Sequence, residues 1–245
     1  MSQAKHVQSN WKDIDEGIYL AKQCYFLIWK PLLLLLISLA FLLLFVFDEL
    51  SVYWIVIIIW WLKPFYDRLI LQILRQYVSR SEQTFRPQLY SIFRLWFSLE
   101  TLKGLTFRRF SFVRSFLLPV YQLEQNKSYK LKERIRVISS GSSSRAANLT
   151  FLGLLTENVI TITFISMLFF VIPAELRSLL LNNELLQDQM FIKYITVLMY
   201  VLTLMITEPL YVASGFSLYM NKRKRLEAWD VELIFKDLVK RRAYA

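Results

Sequence analysis

The chain has 245 residues, 56% of them hydrophobic and 20% charged, with a formal net charge of +11. Its apolar residues come in long blocks and not at the period of one soluble core, which points to an integral membrane protein. A single histidine (His6), a single cysteine (Cys24) and five glycines leave no material for a Ser-His-Asp triad, an HExxH or cysteine-rich metal site, an intrachain disulfide or a glycine-rich phosphate loop.

In chain order, residues 1–24 read as an amphipathic cytoplasmic segment. Trp11, Ile14, Ile18, Ala21 and Tyr25 recur at a spacing of three to four, and Ser9 or Asn10 is placed to cap the helix. A helix needs about 20 apolar residues to cross a hydrocarbon layer of ~30 Å. Residues 25–47 supply the first such run, with Pro31 expected in a first helical turn. That run and the stretch before it are too long for a cleaved signal peptide, and no small-x-small cleavage site follows, so a retained span is expected. The second span is predicted over 52–74. It is wholly apolar through Leu62 and is then interrupted by Lys63, Pro64, Asp67 and Arg68.

Residues 75–150 are too long for a turn and interleave aromatics with arginine. Leu89, Ile92, Phe93 and Trp96 share one helical face, with Arg86, Ser91, Arg94 and Ser98 around the rest. Phe107, Phe110 and Phe112 alternate with Arg108, Arg109 and Arg114. Such a segment is expected in the headgroup plane, its arginines near anionic lipid phosphates. The same interleaving serves single-stranded nucleic acids, but aromatics sunk in lipid cannot stack on bases, so no nucleic-acid partner is expected. The run Ser139, Ser140, Gly141, Ser142, Ser143, Ser144 reads as a flexible linker, with no base nearby to activate a serine. A third span follows at 151–172, stopped by Pro173, and a fourth at 194–220. The tail, 221–245, opens on Lys222, Arg223, Lys224 and Arg225, a topology anchor or a docking site for an acidic partner. Val231, Ile234, Phe235 and Leu238 then predict a short amphipathic helix.

Lysine and arginine set the orientation. Of the 30, all but Arg177 and Lys193 lie in 1–30, 63–149 and 221–245. The two other connections hold Asp48, Glu49, Glu175, Glu184 and Asp188. The positive-inside rule therefore predicts four spans with both termini and the long middle segment cytoplasmic.

Five ionisable residues fall where lipid is expected: Lys63, Asp67, Arg68, Glu157 and Glu208. An isolated charge at the bilayer centre costs at least ~2.5–3.5 kcal/mol, so these residues are expected to face inward and neutralise one another. Lys63 and Asp67 are spaced to pair one helical turn apart. Pro64 and Pro209 are expected to break their helices at about the same depth, freeing carbonyls to accept from Lys63 or Arg68. The result would be one polar cluster between the second, third and fourth spans. It would serve as a packing clamp, or as an ion, proton or substrate site. The alternative is a second span tilted or broken at Pro64, with Lys63 and Arg68 reaching the headgroups as an interfacial ring.

Three stretches carry a resemblance. Trp61, Lys63, Pro64, Asp67 and Arg68 form W-x-K-P-x-x-D-R. The stretch from Arg114 to Glu124 reads R-S-F-x-L-P-V-x-Q-L-E. Glu227, Trp229, Asp230, Glu232 and Leu233 form E-(G/A)-W-D-x-E-L, with Ala228 where glycine is usual; Glu208, Pro209, Tyr219, Asn221 and Arg223 belong to the same pattern. Together these stretches resemble an uncharacterised family of bacterial inner-membrane proteins. The resemblance implies genes near transglutaminase-like membrane proteins and MoxR-type ATPases, hence an envelope-associated assembly. It implies no activity.

Three functions follow from this reading. The first is a non-catalytic membrane scaffold or accessory subunit, with no cofactor, metal or catalytic set. Its partners would be anionic lipid headgroups and either a membrane protein or further copies of itself. The second is a transporter or channel-like component using the charge cluster. The third is a membrane-embedded enzyme acting on a lipid-linked substrate, with Glu157 and Glu208 as acid and base.

Overall fold

A computed structural model describes residues 11–47, 52–79, 111–124, 128–171 and 189–227. The described residues form eight helices and no strand: α1 Lys12–Gln23, α2 Tyr25–Val46, α3 Val52–Trp61, α4 Lys63–Val78, α5 Arg114–Leu123, α6 Ser128–Ser139, α7 Ser143–Val171 and α8 Gln189–Glu227. Three of them, α2, α7 and α8, contain stretches long and apolar enough to cross a membrane. Large apolar side chains such as Phe26, Leu34, Phe41 and Phe45 on α2, and Val159, Ile162 and Met167 on α7, lie on the outer surface. Water disfavours such a surface and lipid accepts it.

The architecture is organised around α8. It packs against each of the other seven described helices, and 61% of its apolar stretch is buried, against 33% for α2 and 17% for α7. Small residues make this possible. A Cβ on Gly17 of α1 would lie 2.7 Å from the Ala213 carbonyl oxygen, and one on Gly215 would lie 2.6 Å from Ser115 Cβ of α5. The run Ala213, Ser214, Gly215 thus brings two helix backbones onto α8, as small residues do between helices in lipid. Gly153 of α7 does the same for the ring of Tyr211, where a Cβ would come within 2.9 Å.

The predicted second span is two helices. α3 ends at Trp61, Leu62 makes the turn, and Lys63 and Pro64 occupy the first two positions of α4. Proline is tolerated there because its missing N–H belongs to a helix's unpaired first turn. The broken backbone is satisfied locally: Phe65 N donates to Leu62 O at 2.9 Å, and the buried Tyr66 hydroxyl donates to Ile59 O at 2.9 Å. Pro209 behaves differently from the expectation. It lies inside the 39-residue α8, which continues through it, so only the carbonyl four residues back loses its donor. Pro31 likewise lies inside α2 and not in its first turn, because the helix already starts at Tyr25.

The serine run is a tight corner and not a flexible linker. Gly141 adopts φ +70°, which turns α6 into α7, and Ser142 N donates to Ser139 O at 3.1 Å. Helix α7 therefore starts at Ser143, eight residues before the predicted third span. Helix α8 extends through the basic cluster to Glu227. In α1, Ile14, Gly17 and Ala21 are buried while Trp11 stays exposed; the inward face is covered by α8 and not by lipid headgroups. The predicted amphipathic helices at 86–98 and 231–238, the aromatic–arginine run at 107–110, the caps at Ser9 and Asn10, and the links at 48–51 and 172–188 lie outside the described residues.

Cys24, between α1 and α2, is fully buried, and burial pushes its thiol up to about 11. At neutral pH almost no thiolate forms, and reactivity rises only as pH approaches that value. Maleimide labelling of this single cysteine is expected to be slow in the wild type. Gly17→Leu, which drives a side chain into the α8 backbone, should speed it at least tenfold; equal rates would mean that α1 is not held by this contact.

Candidate functional site: a buried ion cluster

Lys63 stands at the start of α4 because the helix begins there, and its side chain runs into the space between α7 and α8. Its ammonium group donates to Glu157 Oε2 at 2.5 Å and makes an ion pair with Glu208 Oε1. All three residues are almost fully buried. The remaining Glu157 oxygen, Oε1, accepts from the Tyr200 hydroxyl at 2.9 Å. Thr161, one turn along α7, donates to Thr203 Oγ1 at 3.3 Å. One cation thus ties α4 to both α7 and α8.

Asp67 does not close the predicted pair with Lys63. Its Oδ2 faces Arg114 Nε of α5 at 3.9 Å. Arg114 also lies over the Tyr211 ring, 5.5 Å from its centroid, and the Tyr211 hydroxyl shares a 3.1 Å hydrogen bond with Thr150 of α7. Arg68 is buried as well, lining a cleft between α4 and α5, and its carbonyl accepts from Gln122 Nε2 at 3.2 Å. Reaching this depth takes length: Glu208 is about 22 Å along α8 from Lys193 and about 20 Å from Asn221 at 1.5 Å per residue. The cluster therefore sits near the middle of the bundle, and not as a ring at its end.

The ends of α8 are tied separately. At one, Lys193 Nζ donates to Phe47 O at 3.0 Å, joining α8 to the end of α2. At the other, the buried Asp13 of α1 accepts from Arg225 at 3.0 Å, Arg145 of α7 at 3.2 Å and Asn221 at 3.0 Å. Beside it, Glu124 accepts from Tyr219 at 2.7 Å and from Arg134 Nε at 2.8 Å. Glu227 binds both Arg134 and Arg223. Burial works against the charged form of Glu227, but the hydrogen bonds from Arg223 and Arg134 win and hold its carboxyl below the usual range. Three members of the basic cluster are thus engaged within the chain: Lys222 to Ser140 O at 2.7 Å, Arg223 to Glu227 and Arg225 to Asp13.

Reading the sequence for ionisable residues in apolar runs picks out Lys63, Glu157 and Glu208, which meet. The same reading misses Arg114 and Tyr200. Arg114 is one of many arginines in a basic stretch, and its only distinction is that it opens the second of the resembling motifs. Residues of the three motifs touch one another, at the cluster and toward the end of α8: Asp67 with Arg114, Arg68 with Gln122, and Glu124 with Tyr219.

Removing Lys63 alone would leave Glu157 and Glu208 facing each other without their cation. Lys63→Ala is expected to cost about 3–5 kcal/mol, as removal of one partner from a buried pair does. Adding Glu157→Gln and Glu208→Gln should recover much of that loss. Denaturant unfolding in detergent measures both, and a single variant as stable as wild type would show that the cation holds nothing. Compared with known proteins, the chain matches no family model, no curated protein and no solved structure.

Proposed function

We propose that the protein is a non-catalytic membrane scaffold or accessory subunit of an envelope-associated complex in a bacterial inner membrane. In this reading the chain crosses four times, with α3 and α4 together as a bent second span. Both termini lie in the cytoplasm, as the lysine and arginine distribution favours. The observation that carries the reading is that the buried charges are spent on joining helices, with little room beside them. The space lined by Lys63, Glu157, Glu208 and Tyr211 is about 10 Å³, roughly one water. A transported solute or a lipid-linked substrate needs a cavity of several hundred Å³. Ion-paired helices with an apolar exterior suit a part that is held by, and holds, other membrane proteins.

The test is affinity purification from native membranes in a mild detergent, followed by mass spectrometry of what co-elutes. A partner at near-stoichiometric yield is expected with wild type and should fall at least fivefold with Lys63→Ala. Recovery of the protein alone, or solute flux through the protein reconstituted by itself, would overturn the reading.

A further inference from the structure

The outward side of α7 carries a polar group that its own helix leaves largely unsatisfied. Asn158 is exposed and follows Glu157, so it shares the depth of the ion cluster. It lies about 22 Å from Ser143 and about 20 Å from Val171 along the helix at 1.5 Å per residue. Its Nδ2 donates to Leu154 O at 2.8 Å. That uses one of the amide's two donors, and Oδ1 accepts from none of the described residues. A carboxamide so placed faces lipid tails, which offer no hydrogen bond in return. The exposed threonines nearby make no such demand. Thr156 and Thr163 each have a single hydroxyl proton and give it to their own helix, to Leu152 O at 2.6 Å and Val159 O at 2.7 Å.

We propose that this face of α7 is where two copies of the chain meet side by side in the membrane, with their Asn158 side chains paired across the contact. Copies inserted by the same signals share one orientation, so their α7 helices run parallel about a two-fold axis along the membrane normal. Each residue near that axis meets its own counterpart. A carboxamide is complementary to itself in that setting: the positive N–H of one copy meets the negative oxygen of the other, twice. The residues in line with Asn158 fit the same contact. Ser144, Asn148, Phe151, Leu155, Ile162 and Ile165 follow alternating steps of four and three that include Asn158, and all are exposed. This is the seam of a parallel helix pair, and it carries no charge that would repel its copy. Thr150 and Glu157 lie on a different side, against Tyr211 and Tyr200 of α8, so α7 can make both contacts at once. Asparagine in the seam also fixes register, because sliding one helix by a turn unpairs both amides. The proposal rests on α7 crossing the membrane and not on the binding of any other protein.

Disulfide trapping in native membranes, on the full-length chain carrying Cys24→Ala, tests the contact. Single cysteines are placed on the seam (Phe151→Cys, Leu155→Cys, Ile162→Cys) and away from it (Thr156→Cys, Thr163→Cys), and a membrane-permeant oxidant is added. A covalent dimer of twice the chain mass is expected at the seam positions, in at least fivefold greater yield than at the two threonine positions. Asn158→Leu suits lipid better than asparagine does and so keeps the helix in place. Combined with Ile162→Cys it should cut the dimer at least fivefold, whereas Asn158→Gln should keep most of it. No dimer at any seam position, equal yields on both sides, or a dimer indifferent to Asn158→Leu overturns the proposal. So does a seam adduct with a different protein, which would make that protein the occupant of the face. Trapping reads only the contacts of this face, so its failure is distinct from a failure to co-purify an accessory partner.

Discussion

The one interaction on which the bundle depends is the ammonium group of Lys63 held between Glu157 and Glu208. Charges can be kept at this depth only in company, since an uncompensated ion in an apolar interior costs several kcal/mol. That requirement explains the local shape of the chain. Breaking the helix at Leu62 makes Lys63 the first residue of α4, so its side chain leaves from a helix end. Tyr66, by donating to Ile59 O, removes one backbone cost of the interruption.

In lipid, apolar surface gives little reason for one helix to prefer another, because the tails are as apolar as leucine. α7 shows the consequence. Only 17% of its apolar stretch is buried, so area alone holds it poorly. What fixes it is a short polar line: Thr150 to Tyr211, Glu157 to Lys63 and Tyr200, and Thr161 to Thr203. Arg145 adds the contact to Asp13 at the helix's first turns. α8 is held in the opposite manner, by close backbone approach at Gly215 and Ser214, and it can therefore receive helices on every side.

The sequence told more about the charges than about the chain's bends. Lys63, Glu157 and Glu208 are legible because an ionisable residue in an apolar run has few acceptable destinations. Their partners across the bundle are less so: Asp67 looks paired to Lys63 by spacing, yet the turn at Leu62 swings Lys63 toward α7 and leaves Asp67 to Arg114. The two prolines next to charges read alike and differ in outcome. Pro64 follows directly on the end of an apolar helix and opens the next one. Pro209 has long helical flanks on both sides packed by the other described helices, which hold the helix through a single missing bond. The serine run looked flexible by composition, but one left-handed glycine, Gly141, makes it a corner.

Among the described residues, the two flanks of the cluster differ. Between it and the end where Lys193 meets Phe47, α3 and α8 place Ile55, Ile59, Val197, Val201 and Leu204, all buried and apolar. The polar line stops at Tyr200 and Thr203. Toward the other end, the α4–α5 cleft touches Asp67, and beyond it come Glu124, Arg134, Arg223 and Glu227. A clamp needs no path through the bundle: the lysine holds α4 to α7 and α8 from within it.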